Sequence, residues 1–158
     1  MDTQKIIQTL VYLASKQPDK RMNKMKAYKL MWLVDRYHLR QYGRTVTGDV
    51  YYALPHGVVP TDAKHLLEDK LTRLSSNKDM LDAYIRVDSD YVYSAIAEPD
   101  MDVFSQSDVE AMDKVLEAFG GDKVSPVVES MVLDRVCQII PLTDKAIANL
   151  ENQPVWKY

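Results

Sequence analysis

After Asp2 and Thr3, the apolar residues Ile6, Ile7, Leu10, Val11, Leu13 and Ala14 recur at the interval of one helix face, and Pro18 stops the pattern. The spacing predicts a first helix of about three turns. A second, longer helix follows. Asn23 is placed to cap it, Ala27, Leu30, Met31, Val34, Tyr37 and His38 line one face, and Gly43 offers a C-terminal cap. From Arg44 to Pro60 the character changes: Val46, Val50, Tyr51 and Tyr52 alternate with Gly48, Pro55, Gly57 and Pro60, which predicts a short strand leading into a rigid turn. Thr61 then caps a third helix with Ala63, Leu66, Leu67, Leu71 and Leu74 on its buried side.

The stretch Ala83 to Ala97 is rich in strand formers around Asp88, Ser89 and Asp90 and predicts a β-hairpin. Ser107 and Glu110 stand in the S-x-x-E spacing of a capping box, opening a helix with Val109, Met112, Leu116 and Phe119 that Gly120 and Gly121 end. Ser125 and Pro126 open a fifth helix carrying Val128, Met131, Val132, Val136 and Ile139, which Pro141 closes. Thr143 caps a last short one with Ile147 and Leu150. The expected fold class is α+β, mostly α, with residues 1–158 as a single helical domain. About six helices would cover a small two- or three-stranded antiparallel sheet, since so few strands are not stable alone.

Composition narrows this picture without redirecting it. The 158 residues are 46% apolar and 27% charged, ordinary for a globular domain of a size that needs neither disulfides nor metal as staples. The single cysteine, Cys137, excludes an internal disulfide and fits a reducing compartment. No apolar run approaches the ~18 residues of a membrane span, and the N-terminus lacks the pattern of an export signal, so a cytoplasmic location is expected. The net charge of -3 hides a polarity: residues 1–80 carry 14 Lys/Arg against 8 Asp/Glu, whereas residues 81–158 carry 6 against 15. Either the halves neutralise each other in the fold, or one face is a binding surface.

Sequence signatures of catalysis are missing: there is no G-x-S-x-G, H-E-x-x-H, Walker loop or C-x-x-C. Cys137 lies on an apolar stretch, where a thiol acts as a small core residue. His38 shares the buried face of the second helix and is expected to be a hydrogen-bonded core residue. His56, Asp62 and His65 match no metal-ligand spacing, and the acidic loop Glu98, Asp100, Asp102 lacks the glycine and glutamate of a calcium loop. The basic stretch Lys16 to Lys29 raises the nucleic-acid question, but the connection through it is too long for a helix-turn-helix.

Between Asn23 and Pro60, the residues Lys29, Leu30, Trp32, Asp35, Arg36, Leu39, Arg40, Tyr42 and Gly43 stand in the order K-L-x-[WY]-x-x-D-R-x-x-L-R-x-Y-G, a helix motif by which the segment resembles the Panacea, or SocA-like, antitoxin domain family. Its T-G-D-x-Y strand is matched by Thr47, Gly48, Asp49 and Tyr51, and its P-x-G-P-V-P turn by Pro55, Gly57, Val59 and Pro60, with Val58 replacing a proline. Residues Glu98 to Gly121 are similar to the family's P-D-x-D-x-[FL]-S-x-S-D stretch and following helix.

The resemblance implies a cytoplasmic protein of a bacterial or phage-associated toxin–antitoxin system that binds and neutralises a toxin encoded beside it. In some relatives such a protein hands the toxin to a protease. No catalytic residue, cofactor, metal or membrane is then required, and nucleic acid is not an expected partner. The candidate partner-binding residues are Arg36, Arg40, Tyr42, Arg44, Asp49, Tyr51, Pro55, His56 and Gly57, expected to form a rigid edge where helix end, strand and turn converge. The competing expectation makes Asp35 with Arg36, and Asp49 with Arg44, internal pairs that hold strand to helix. The rival functions are a small hydrolase or nucleotide-handling enzyme using His56 and nearby carboxylates, and a nucleic-acid-binding accessory protein.

Overall fold

The computed structural model describes residues 2–54, 57–68 and 77–120. Helix α1 (Thr3–Ser15) starts where Asp2 accepts the Lys5 N–H, and every residue from Ile6 to Ala14 is buried. A helix covered on all sides is a core helix rather than a surface one. The chain then passes through two left-handed residues, Asp19 and Lys20, into the three-residue strand β1 (Arg21–Asn23). Helix α2 (Lys24–Tyr42) is capped by Asn23, whose Oδ1 accepts from Met25 and Lys26 N–H, and is stopped by Gly43 at φ 77°. Both ends are those the sequence predicts.

Where the sequence predicts one strand and a turn, the structure has a hairpin: β2 (Tyr51–Leu54) pairs antiparallel with β3 (Gly57–Pro60), setting Tyr51 opposite Pro60 and Ala53 opposite Val58. Val58 is fully buried in this ladder. Helix α3 (Thr61–Glu68) follows, with Ala63, Leu66 and Leu67 buried. Leu71 and Leu74 lie outside the described residues. Helix α4 (Lys78–Tyr84), for which the sequence carries no clear signal, leads into β4 (Ile85–Val87) and β5 (Val92–Ala95). The predicted hairpin is therefore present, but Ala83 and Tyr84 belong to the helix before it.

Strand β5 lies in the middle of the order β1-β5-β4, with Met22 and Val87 both opposite Tyr93. The Tyr93 hydroxyl reaches inward to the Leu10 carbonyl at 2.8 Å, tying the sheet to α1. Helix α5 (Gln106–Phe119) closes the described part, packing against α2. Its capping box is Ser105 with Asp108, not Ser107 with Glu110. There are five helices among the described residues rather than six. The expected helices after Ser125 and Thr143, with Cys137, lie outside them. The core is built from α1 and α2, with Trp32, Tyr28, Tyr51 and Tyr93 its largest buried side chains. No described helix is long and apolar enough to cross a membrane.

Candidate functional site

Three buried carboxylates organise the region where the motif residues meet. Asp35, on the inner face of α2, accepts the backbone N–H of Val46 at 2.8 Å and of Thr47 at 3.0 Å on Oδ1, while Oδ2 takes the hydroxyls of Thr47 and Tyr51. Burial raises its pKa against the pull of these four bonds. Tyr51 is itself fully buried, and burial beside Asp35 and Asp49 keeps its hydroxyl protonated far above the usual range. The loop after Gly43 is thereby folded back on the helix it has just left.

Asp49 performs the same service for α3. Its Oδ1 accepts from Val50 at 2.7 Å and Asp62 at 2.9 Å, and its Oδ2 from Ala63 at 2.9 Å. The orphan amides at the start of α3 are thus capped from 13 and 14 residues upstream. Thr61, which the sequence assigns as that cap, makes no hydrogen bond through its buried hydroxyl among the described residues. Burial pushes the Asp49 carboxyl up to about 6, with the neighbouring Asp62 adding to the rise and the three amides opposing it.

Asp108, at the start of α5, is the third. Burial alone would raise its pKa, but Lys5 Nζ at 2.7 Å, the Ser105 N–H and the Arg44 charge hold it below the ordinary carboxylate value. Arg44 Nη1 stands 3.0 Å away, and His38 Nε2 3.3 Å. His38 is completely buried, its Nδ1–H donating to the Arg44 carbonyl at 2.6 Å and its Nε2 facing the Ser107 hydroxyl at 2.9 Å. This cluster explains the two-residue shift of the capping box: Asp108 is drawn into the core by Lys5 and Arg44, while Glu110 turns outward and accepts from Tyr42.

The expected internal pairs are therefore corrected. Asp35 binds backbone and hydroxyls rather than Arg36, and the partner of Arg44 is Asp108, not Asp49. The other candidate residues divide by position. Asp49 and Tyr51 lie inside the fold, and Gly57 opens β3. Arg36 stacks over the Trp32 ring at 5.8 Å, and Arg40, Tyr42 and Arg44 are exposed. Pro55 and His56 lie outside the described residues. Among the described residues no three His, Cys, Asp or Glu side chains are grouped to hold a metal, and His65 is exposed on α3.

Sequence reasoning did not find the groove between α2 and α5. Leu33, Tyr37, Val115, Ala118 and Phe119 form its apolar surface, with Arg36, Arg40, Gln41 and Lys114 around them, enclosing about 360 Å³. The signal was available only as two helix faces in separate parts of the chain. Arg36 and Arg40 stand one turn apart on the outer side of α2, whereas Asp35, one residue away, points into the fold.

No curated protein and no solved structure matches this chain. A family model does, over residues 28–131, about two thirds of the length, running from the body of α2 past the end of α5. The matched span includes Asp35, Asp49 and Asp108, the three carboxylates on which the loop, α3 and α5 are hung. The chain belongs to the antitoxin SocA-like, Panacea domain family.

Proposed function

We propose that this chain neutralises a cognate toxin by holding it in a stoichiometric protein–protein complex in the cytoplasm, without making or breaking a bond. Membership of an antitoxin family is the observation that carries this reading. It is supported by the employment of ionisable groups within the matched span. Asp35, His38, Arg44, Asp49 and Asp108 are each engaged with backbone or side chains of the fold, so their chemistry serves the scaffold. What the scaffold presents outward is arginine and tyrosine at the end of α2, residue types that anchor protein interfaces.

The test is co-expression with the product of the neighbouring reading frame. Growth arrest by that product alone, rescue by this chain, and co-elution of the two as a defined complex are the expected results. Rescue without a complex, or small-molecule turnover that disappears when a histidine is replaced, overturns the reading. The toxin's half-life separates two forms of the same function: unchanged in a stoichiometric inhibitor, shortened where the complex is passed to a protease.

A further inference from the structure

The two edges of the three-stranded sheet differ. At β1 the Arg21 N–H is held by the Pro18 carbonyl, and Asn23 is the cap of α2, its carbonyl at the start of that helix's ladder. At β4 the register shows which backbone groups face out. Ile96 donates to the Tyr84 carbonyl and Asp88 to the Val92 carbonyl, so Arg86, which lies between, turns its N–H and C=O to Ser94 of β5. Ile85 and Val87 turn theirs to the outer side. The Ile85 N–H is taken up by the Leu81 carbonyl at the end of α4. Three groups are left, the Ile85 C=O and the Val87 N–H and C=O, and no described residue pairs with them. Beside them lies a depression of about 390 Å³ whose apolar lining is Leu81, Ile85, Val87 and Ile96. Ile96 is exposed, and the charge of Arg86 is already met by Asp88 at 2.6 Å.

We propose that β4 takes up an extended segment of the cognate toxin as a further strand of this sheet. The inference rests on the reading that the chain holds a toxin, and it says by which chemistry. Donors and acceptors in a row along a strand edge are matched by another backbone in extended form. One outward N–H between two outward carbonyls calls for a segment that presents two amides and one carbonyl, with no proline at either amide. The side chain opposite Val87, and the one two positions along, lie on the same side of the sheet as Val87 and Ile85. Apolar or β-branched residues there continue the surface of Leu81, Ile85 and Val87. A second copy of the chain matches this edge less completely. Two β4 strands paired about a twofold axis leave one outward carbonyl per copy without a donor, because the amides that would reach it, those of Ile85 and Ser89, are already given to Leu81 and Val92. A strand from another protein brings amides that are not yet used.

The experiment uses the full chain with the toxin, the product of the neighbouring reading frame. Amide exchange followed by NMR reads the edge directly. In the free chain the Val87 N–H is expected to exchange at least about tenfold faster than the Arg86 N–H, and in the complex to slow to a similar rate. Val87→Pro removes the outward donor and no bond of the β4–β5 ladder, a position at which an edge strand tolerates proline. It is expected to weaken the complex at least about tenfold, with the melting temperature of the free protein nearly unchanged. A Val87 amide protected in the free chain overturns the proposal: protection independent of concentration assigns the edge to another segment of the same chain, and protection that grows with concentration assigns it to a second copy. A complex in which Val87 stays unprotected, or wild-type affinity in Val87→Pro, overturns the proposal and leaves the antitoxin reading standing. Absence of any complex with the wild-type chain overturns both. If Val87→Pro melts early, the exchange pattern of the wild-type complex decides.

Discussion

Replacing Asp35 by alanine removes one acceptor from four donors at once: the amides of Val46 and Thr47 and the hydroxyls of Thr47 and Tyr51, all of them buried. A buried donor left without an acceptor costs about 1–3 kcal/mol. The two hydroxyls can rotate toward other acceptors, but the amides are fixed by the backbone, so the larger part of the loss falls on them. Against this, the variant no longer buries a carboxylate, whose raised pKa shows that the fold disfavours its charge. The net expected loss is about 3–4 kcal/mol, a large share of the ~5–15 kcal/mol that holds a domain together. Asp35→Asn is the discriminating companion. Its Oδ1 keeps both amides, and its NH₂ donates to hydroxyls that are free to turn, so about 1 kcal/mol is expected. Urea denaturation followed by circular dichroism measures both, and by melting temperature the alanine variant should lie about 10 °C below wild type. Equal losses in the two variants, or a larger loss in asparagine, would show that the charge rather than the acceptor geometry matters, and would refute the reasoning.

Asp49 gives a pH dependence of definite sign. Its folded-state pKa of about 6 lies above the ordinary value of 3.8, so the native state keeps a proton that the unfolded chain has lost. Its contribution to stability is complete below pH 4 and is lost as the pH rises through 6, by about 2–3 kcal/mol. The stability difference between wild type and Asp49→Asn should therefore shrink from pH 4 to pH 7, and parallel profiles would exclude the assignment. Gly43 stands at φ 77°, and a methyl group placed on its Cα would meet nothing within 4 Å. Gly43→Ala therefore tests backbone conformation alone and should cost about 1 kcal/mol by thermal melting, with Gly43→Asn milder. Arg44→Glu sets a carboxylate against buried Asp108 and should lower stability by about 1–2 kcal/mol, the half-exposed arginine limiting the effect.

The parts of the fold that were legible in the sequence are those with local signals. Asn23 and Gly43 bracket α2 because a side-chain cap and a left-handed glycine act on their own helix. Gly120 marks the end of α5 for the same reason that a chain of strong helix formers needs a stop. The rest depended on partners distant in sequence. β1 has two polar residues out of three and exists because Arg21, Met22 and Asn23 pair with Ser94, Tyr93 and Val92. Two serines could open α5, and the choice fell to Ser105 through Lys5 and Arg44, which lie far upstream. The cap of α3 is Asp49, not the adjacent Thr61, a substitution that no local pattern announces. The candidate site was legible in residue types but not in grouping. Asp35 and Arg36 are neighbours in sequence, yet consecutive helix positions face different ways, so one became scaffold and the other surface.

That division gives the charge polarity of the chain a physical meaning. Lys5 and Arg44 meet Asp108, Lys20 meets Glu98, and Arg21 meets Asp88, so the basic first half and the acidic second half are joined by ion pairs that cross between them. Exposed pairs such as Lys20 with Glu98 add little stability. The buried one at Asp108 fixes the start of α5 against α1 and the end of α2, and so sets the distance between the two walls of the groove. The scaffold and the groove are thus coupled through α2, which carries Asp35 inward and its neighbour Arg36 at the groove. A substitution at Asp35 or Asp108 is therefore expected to move the groove walls even where the protein remains folded, because each of these carboxylates ties α2 to a segment far from it in sequence.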